Sequence, residues 1–282
     1  MALPIIKIEN ARGQVLNLST DPRYKPMITA GTEPPPATIN RNKIAVSDGT
    51  RYNSATLNER NLVLTVYFMR DVERARQNLY KYAAAKSFVK VYYSTDDLDL
   101  YIEGYVETIE CDPWELNQFA QISIICPQPY WLDIIETFTN ASNIYALFEF
   151  PFSIDAEGIE LSRVDVSTEA EIVNDGQVAS GARFEIYARI TTVRPVIHNL
   201  ETGEYMGFNT TLQANDRLII NTTQGQKSVT RVREGVSTNI IDTLMDGSTW
   251  LQLNVGANAY AYTMDEGEIE LFVYHTNKYM GV

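Results

Sequence analysis

Residues 61–86 read NLVLTVYFMRDVERARQNLYKYAAAK, and two hydrophobic periods meet inside them. Leu62, Leu64, Val66 and Phe68 place an apolar side chain at every second position, while Val63, Thr65, Tyr67 and Met69 fall between them. A strand apolar on both faces meets a core on one side and a helix or a neighbouring subunit on the other. From Val72 the period lengthens. Val72, Ala75, Leu79, Tyr82 and Ala83 recur at helical spacing, with Arg74, Gln77, Asn78 and Lys81 mostly on other faces, which predicts a helix over 72–86. Asp71 is placed to cap that helix through its carboxylate, with Glu73 near the positive end of the macrodipole. A lone helix among strands cannot bury its own stripe and must lay it on a sheet.

Working outward toward the N-terminus, 5–18 reads as a hairpin turning at Arg12-Gly13-Gln14. Residues 19–60 are rich in Pro, Gly, Asn, Ser and Thr and include Pro34-Pro35-Pro36, so only short strands are expected there. An excursion this long is unusual in a compact domain unless it reaches for something. Toward the C-terminus, strands are expected at 88–93 and 100–110, joined by an acidic tip at 94–99. The spacing of that tip does not fit an EF-hand, so it reads as a solvated turn. A further strand, 119–126, is stopped by Pro127 and Pro129, which lack a ladder donor. These elements assign residues 1–139 to a first β domain carrying one helix.

Residues 140–282 change character. Short strands are expected at 144–150, 170–174, 182–190, 194–199, 204–212, 217–221, 228–232, 250–253 and 269–274. Turn residues such as Asn174-Asp175-Gly176, Thr202-Gly203 and Asp246-Gly247 separate them. Short strands at this spacing describe a sandwich. The fold class expected for the whole chain is therefore mainly β, in two domains.

Bulk properties narrow the function. The chain has 282 residues, 45% hydrophobic and 21% charged, enough for two cores and too apolar for a disordered segment. No apolar run reaches the roughly 18 residues of a membrane-spanning helix. The opening MALPIIKIEN lacks the basic segment and cleavage site of a secretory signal, so none is expected. Cys111 and Cys126 are read as ordinary thiols, in keeping with synthesis in a reducing cytoplasm. The net charge is −13, and the acidity is concentrated after residue 139: 14 Lys and Arg against 17 Asp and Glu before it, 9 against 19 after it. Neither half carries the basic footprint of nucleic-acid binding.

Chemistry is hard to place. His198 and His275 end strands with no partner spacing for a metal or a catalytic pair, and the common nucleophile and phosphate-binding motifs are absent. Glu107, Glu110 and Glu115 near Trp114 are the most tempting candidates for a glycosidase-like pair, although carboxylates on the wet side of a sheet are common. The 17 tyrosines are more informative. Tyr92, Tyr101 and their neighbours suit a subunit contact, where an apolar ring is covered and the hydroxyl stays wet. Trp250, Tyr260 and Tyr262 offer a competing use as a sugar-stacking platform, and core packing is open to all of them.

In combination, several stretches resemble the distal tail proteins of long-tailed bacteriophages: RYNS at 51–54, NERN at 58–61 leading into LVLTVYF, ERARQNLYKY at 73–82, GYVETIECDPWE at 104–115 and FAQISIICPQPYW at 119–131. The likeness continues through LFEFPFSI at 147–154, NDGQVASGARFEI at 174–186, HNLETGEYM at 198–206 and LQANDRLIIN at 212–221. The resemblance implies a tail-tube-like β-barrel or sandwich with one helix, followed by a galectin-like jelly-roll sandwich. It implies a homohexameric ring that continues the tail tube, with Leu62, Leu64, Val66, Phe68, Tyr67, Tyr92 and Tyr101 as candidate ring contacts. It further implies a place in the virion tail after assembly in the host cytoplasm. Partners implied are the tail tube protein, a tail-tip hub protein and receptor-binding or baseplate proteins, with no enzyme activity, no cofactor or metal, no sequence-specific nucleic acid and no membrane insertion. A carbohydrate-binding module acting through Trp250, Tyr260 and Tyr262 is the alternative.

Overall fold

The computed structural model describes residues 3–44, 48–141, 144–145, 163–164 and 169–282. It divides into two compact units, Met1–Ile134 with Lys278–Val282, and Ile135–Asn277.

The first unit contains β1 (Ile5–Asn10), β2 (Val15–Asn17), β3 (Tyr24–Ala30), β4 (Ala37–Lys43), β5 (Thr50–Leu57), β6 (Arg60–Phe68), α1 (Val72–Tyr82), β7 (Phe88–Ser94), β8 (Asp99–Glu110), β9 (Phe119–Cys126) and β10 (Trp131–Asp133). Its main sheet runs β2-β1-β7-β8-β9-β6-β3, with β10 joining β8 to the terminal strand Lys278–Tyr279. The order is open, with β2 and β3 at its edges, so the barrel half of the expectation gives way to a sheet that does not close.

β6 lies between β9 and β3 and pairs Leu62 with Ile124, Leu64 with Ile122 and Val66 with Ala120. Its alternate residues Leu62, Leu64, Val66 and Phe68 enter the core beneath α1 together with Ile8, Val89, Val91 and Ile102. Each fully buried aliphatic side chain there contributes about 1.5–3 kcal/mol.

α1 buries the predicted stripe, with Ala75, Leu79 and Ala83 wholly covered, and the Tyr24 hydroxyl donates to the Ala75 carbonyl at 2.9 Å. Both of its ends differ from expectation. Asp71 has φ +46° and makes no side-chain cap; its backbone carbonyl instead accepts the Ala75 N–H at 2.8 Å. The backbone there is left-handed, a conformation Asp tolerates better than most residues, and not the extended one of a capping residue. The helix also stops at Tyr82, short of residue 86. Lys86 adopts φ +67° and its N–H is taken by the Val106 carbonyl of β8 at 2.7 Å, so the chain hooks onto the sheet instead of continuing the helix.

The second unit contains β11 (Thr137–Asn140), β12 (Ile144–Tyr145), β13 (Arg163–Val164), β14 (Glu169–Asn174), β15 (Ser180–Ala188), β16 (Thr192–Val193), β17 (Val196–Asn199), β18 (Tyr205–Gly207), β19 (Thr211–Leu212), β20 (Arg217–Asn221), β21 (Ser228–Arg233), β22 (Val236–Asn239), β23 (Gln252–Leu253), β24 (Gly256–Thr263) and β25 (Ile269–His275). One sheet runs β11-β25-β15-β20-β21-β22, with β23 beside β15, and the other runs β14-β24-β17-β18.

Phe184, Ile186, Leu218, Ile220, Leu271 and Val273 of the first sheet share one core with Ile172, Ile197, Met206 and Tyr260 of the second, which makes this unit a sandwich. β25, paired on both edges by β11 and β15, alternates buried and half-buried residues along its length, as a strand with one covered face should. The turn signals act locally: the Asn199 side chain accepts the N–H groups of Glu201 and Thr202, and Gly203 follows with φ +71°. Of the strand expected at 144–150, only Ile144–Tyr145 is described. The remainder, and the LFEFPFSI stretch, lie outside the described residues.

Candidate assembly surfaces

The excursion at 19–60, expected to hold only short strands, contains a long arm. β4 and β5 pair with each other from Ala37 opposite Leu57 to Lys43 opposite Thr50, and with no other strand among the described residues. All seven residues of β4 and all of β5 but Leu57 are exposed. Two strands alone are marginal in water, and their free edges are templates for further pairing. Asp48-Gly49 is a local turn signal at the end of the connection between β4 and β5, and Gly49 has the φ of +95° that favours glycine there. Arg41, Lys43 and Arg51 against Asp48 give the arm a net charge of +2 in a chain of −13, and Ile39 (57% exposed) and Tyr52 (63%) add apolar surface.

The root of the arm is held from inside the unit. The Asn58 N–H donates to the Pro36 carbonyl at 3.1 Å and the Thr38 hydroxyl to the Asn58 side chain at 2.8 Å. Just below, Arg60 is only 2% exposed and donates to four backbone carbonyls: Pro129 and Glu33, each at 2.8 Å, together with Gly31 and Met280. Burial lowers its pKa, against the opposing influence of Cys126 and the Glu33 carboxylate, and its hydrogen bonds go to backbone carbonyls.

At the other end of β6 a second exposed feature appears. The turn at 111–118 is braced by the Trp114 N–H donating to Asp112 at 2.8 Å and the Gln118 side chain donating to the Pro113 carbonyl at 2.8 Å. On this ordered turn Trp114 is 92% exposed and Leu116 is fully exposed.

The ring-contact candidates separate into two groups. Leu62, Leu64, Val66 and Phe68 are buried in the unit's own core and present no side chain to a neighbour. A strand apolar on both faces does not reveal which face the chain itself will cover. Tyr67, Tyr92 and Tyr101 lie half-buried on the opposite face. There Tyr92 and Tyr101 are cross-strand partners with ring centroids 6.0 Å apart, Lys90 stands 5.0 Å over the Tyr101 ring, and Tyr67 meets Phe119 at 5.6 Å. The Tyr92 hydroxyl donates to Glu9, and burial followed by that carboxylate pushes its pKa up.

The sugar-platform candidates do not form an open surface. Tyr260 is fully buried, with its hydroxyl donating to the Gln252 carbonyl at 2.9 Å, and burial pushes its pKa up to about 12. Tyr262 is 7% exposed, and Trp250 is half-buried with Lys227 standing 5.3 Å over its ring. An open cleft of about 500 Å3 in this unit is lined by Arg194, Tyr205, Asn209, Asp242, Met245 and Asp246, without any of the three.

The acids near Trp114 are likewise dispersed: Glu107 accepts the Ser123 hydroxyl at 3.1 Å, and Glu107, Glu110 and Glu115 are all exposed. His198 shares a hydrogen bond of 2.9 Å with Thr263, and His275 is buried. Cys111 and Cys126 are free, with burial pushing the Cys126 thiol up to about 12. Among the described residues there is no group of three or more His, Cys, Asp or Glu able to hold a metal, and no helix is long and apolar enough to cross a membrane.

Residues 175–279 match the family described as siphovirus-type tail component, C-terminal domain. Among solved structures, the chain is similar to the Dit protein of phage SPP1, described as a paradigm of the hub adsorption apparatus in phages infecting Gram-positive bacteria. The two share 11% identity over 98% of this chain and 99% of that one, with a TM-score of 0.68. It is also similar to a chain of the phage P2 baseplate in its activated conformation, solved with calcium and with strontium. Those matches have 10% identity, cover 97% of this chain and 98% of that one, and have TM-scores of 0.54 and 0.52. No curated protein sequence matches. At such identities the structural likeness is one of fold, and the family match is confined to residues 175–279. Residues 175–279 thus match the siphovirus-type tail component, C-terminal domain, and the whole chain has a mainly β, one-helix fold similar to that of the SPP1 Dit protein.

Proposed function

We propose that this chain is a structural hub of a phage tail, closing as a homohexameric ring that joins the tail tube to the tail tip and anchors host-adhesion components. The observation that carries this reading is the β4–β5 arm, which has nearly every residue exposed and both outer edges unpaired among the described residues. A monomer that kept such an arm uncovered would present a permanent template for aggregation, whereas closed symmetry covers it. The half-buried aromatic face of Tyr67, Tyr92 and Tyr101 supplies a second area suited to a neighbour.

In this reading the tail tube protein sits on one side of the ring and a tail-tip hub protein on the other. The acidic second unit displays receptor-binding or baseplate proteins. The chain works without catalysis or cofactor, in the virion tail, after assembly in the host cytoplasm. The likeness to SPP1 Dit and to the P2 baseplate chain supports it. The carbohydrate-binding alternative gains nothing from Tyr260 and Tyr262, whose rings are covered.

The test is the oligomeric state of the purified full chain by light scattering, with negative-stain imaging. Six-fold rings with a lumen wide enough for duplex DNA are expected. A chain that stays monomeric at high concentration, and also in the presence of assembled tail tubes, refutes the reading.

A further inference from the structure

We propose, on the above reading of the chain as a ring-forming subunit, that the exposed turn at 111–118 of one copy docks on the β4–β5 arm of the next copy. Trp114 and Leu116 have the greatest fractional exposure of any large apolar residues described, 92% and 103%. They are held in place by the hydrogen bonds from the Trp114 N–H to Asp112 and from Gln118 to the Pro113 carbonyl, so little ordering remains to be done on binding. A preorganised, exposed Trp is the residue type that anchors interfaces most often.

The partner is identified by charge and by chemistry. From Glu110 to Gln118 the chain has Glu110, Asp112 and Glu115 and no Lys or Arg, a net charge of −3. The arm has the opposite sign, +2 from Arg41, Lys43 and Arg51 against Asp48, and offers Ile39 and Tyr52 as apolar surface for the indole and the leucine. Among the described residues of one chain, then, an acidic apolar turn and a basic apolar arm both stand exposed.

Strand direction keeps the two apart within a copy. The arm rises from the Arg60 end of β6, next to Asn58, whereas the turn adjoins the Phe68 end, where the Phe68 N–H donates to the Gln118 carbonyl at 3.0 Å. At about 3.3 Å per residue the two ends of β6 are roughly 26 Å apart. Complementary surfaces at opposite ends of one subunit make a head-to-tail contact, and such a contact closes into a ring when its rotation permits.

The experiment is a charge swap in the full-length chain, read by sedimentation velocity at low and moderate salt. Glu110→Lys with Glu115→Lys reverses the turn while keeping Asp112, which braces Trp114, and Arg41→Glu with Arg51→Glu reverses the arm. All four positions are on exposed elements, and circular dichroism checks that the fold is kept. Each reversal alone is expected to weaken self-association at least about tenfold, and the chain carrying both is expected to recover most of that loss. Trp114→Ala is expected to weaken association by a similar factor at every salt concentration, since its contribution is apolar. If the single reversals assemble like the parent, or the combined variant is no better than either, the contact is refuted while the ring reading stands. A parent chain that stays monomeric, also in the presence of assembled tail tubes, refutes the ring reading and the contact with it.

Discussion

Replacing Arg60 by methionine keeps most of the buried stem and removes the guanidinium that joins four backbone carbonyls from three separate parts of the first unit. The bond to Pro129 is fully buried, and hydrogen bonds from a charged donor contribute about 1.5–3 kcal/mol each. The bonds to Gly31, Glu33 and Met280 are partly accessible, so water replaces some of what they lose. Removing a buried charge also returns part of its desolvation cost, the same burial that lowers the Arg60 pKa. The net expected loss is about 3–4 kcal/mol, which lowers the melting temperature of a unit of this size by roughly 10 °C.

Trp131, fully buried in this unit, provides a fluorescence report on its unfolding. Hydrogen exchange at 31–33 should rise in the variant at temperatures well below the transition, because the arm root loses its tie to the interior. Arg60→Lys should recover part of the stability, since an ammonium reaches fewer carbonyls. A methionine variant within about 1 kcal/mol of the parent would mean that these carbonyls are satisfied without Arg60, and the clamp would be an incidental contact.

Other perturbations address separate links. Leu79→Ala, at a fully buried helix position, should cost about 2–5 kcal/mol in denaturant unfolding of the first unit. Gly31→Ala should cost more than about 1 kcal/mol, because the backbone has φ +88° and a new Cβ would lie 2.5 Å from the Asn61 carbonyl oxygen; thermal melts of the full chain measure it.

His275 is 2% exposed, and burial pushes its pKa below the ordinary 6.5 against the opposing influence of Asn277, the Val173 backbone, Asp175 and Glu136. The unfolded chain then binds the proton more readily, so the second unit is at full stability above about pH 6.5 and loses it as pH falls toward the folded value. His275→Gln should flatten that part of the pH–stability curve. Asp216, held by Arg233 and by the Gln213 N–H, has its pKa lowered below 3.8, so its contribution is present above that value and disappears as pH falls through the folded pKa. Asp216→Asn should remove this acid limb in urea titrations between pH 2 and 5, a range set by the roughly one-unit spread of carboxylate pKa values.

Local period and turn chemistry were sufficient for much of the architecture. The alternation of 62–69, the helical stripe from Val72 to Ala83 and the Gly and Asn turns of the second half depend on neighbours in the chain, and they specified a mainly β fold with one helix. Periodicity says which residues share a face. It does not say what covers that face, and there the tertiary structure decided.

Leu62 and Tyr67 belong to one strand of apolar pattern, but only packing under α1 made Leu62 core and left Tyr67 on the outer face. Tyr260 looked as suitable for a sugar platform as Trp250 until the two sheets closed over it. The Val106 carbonyl, twenty residues downstream, ended the helix early by taking the Lys86 N–H. Asp48-Gly49 is a turn signal near the tip of the arm, yet the arm's exposure is not local, since exposure depends on long-range partners. The sequence by itself determined the strands, the helix and the turns because those are short-range; the buried Arg60 clamp and the uncovered arm and Trp114 turn exist only once distant segments have met.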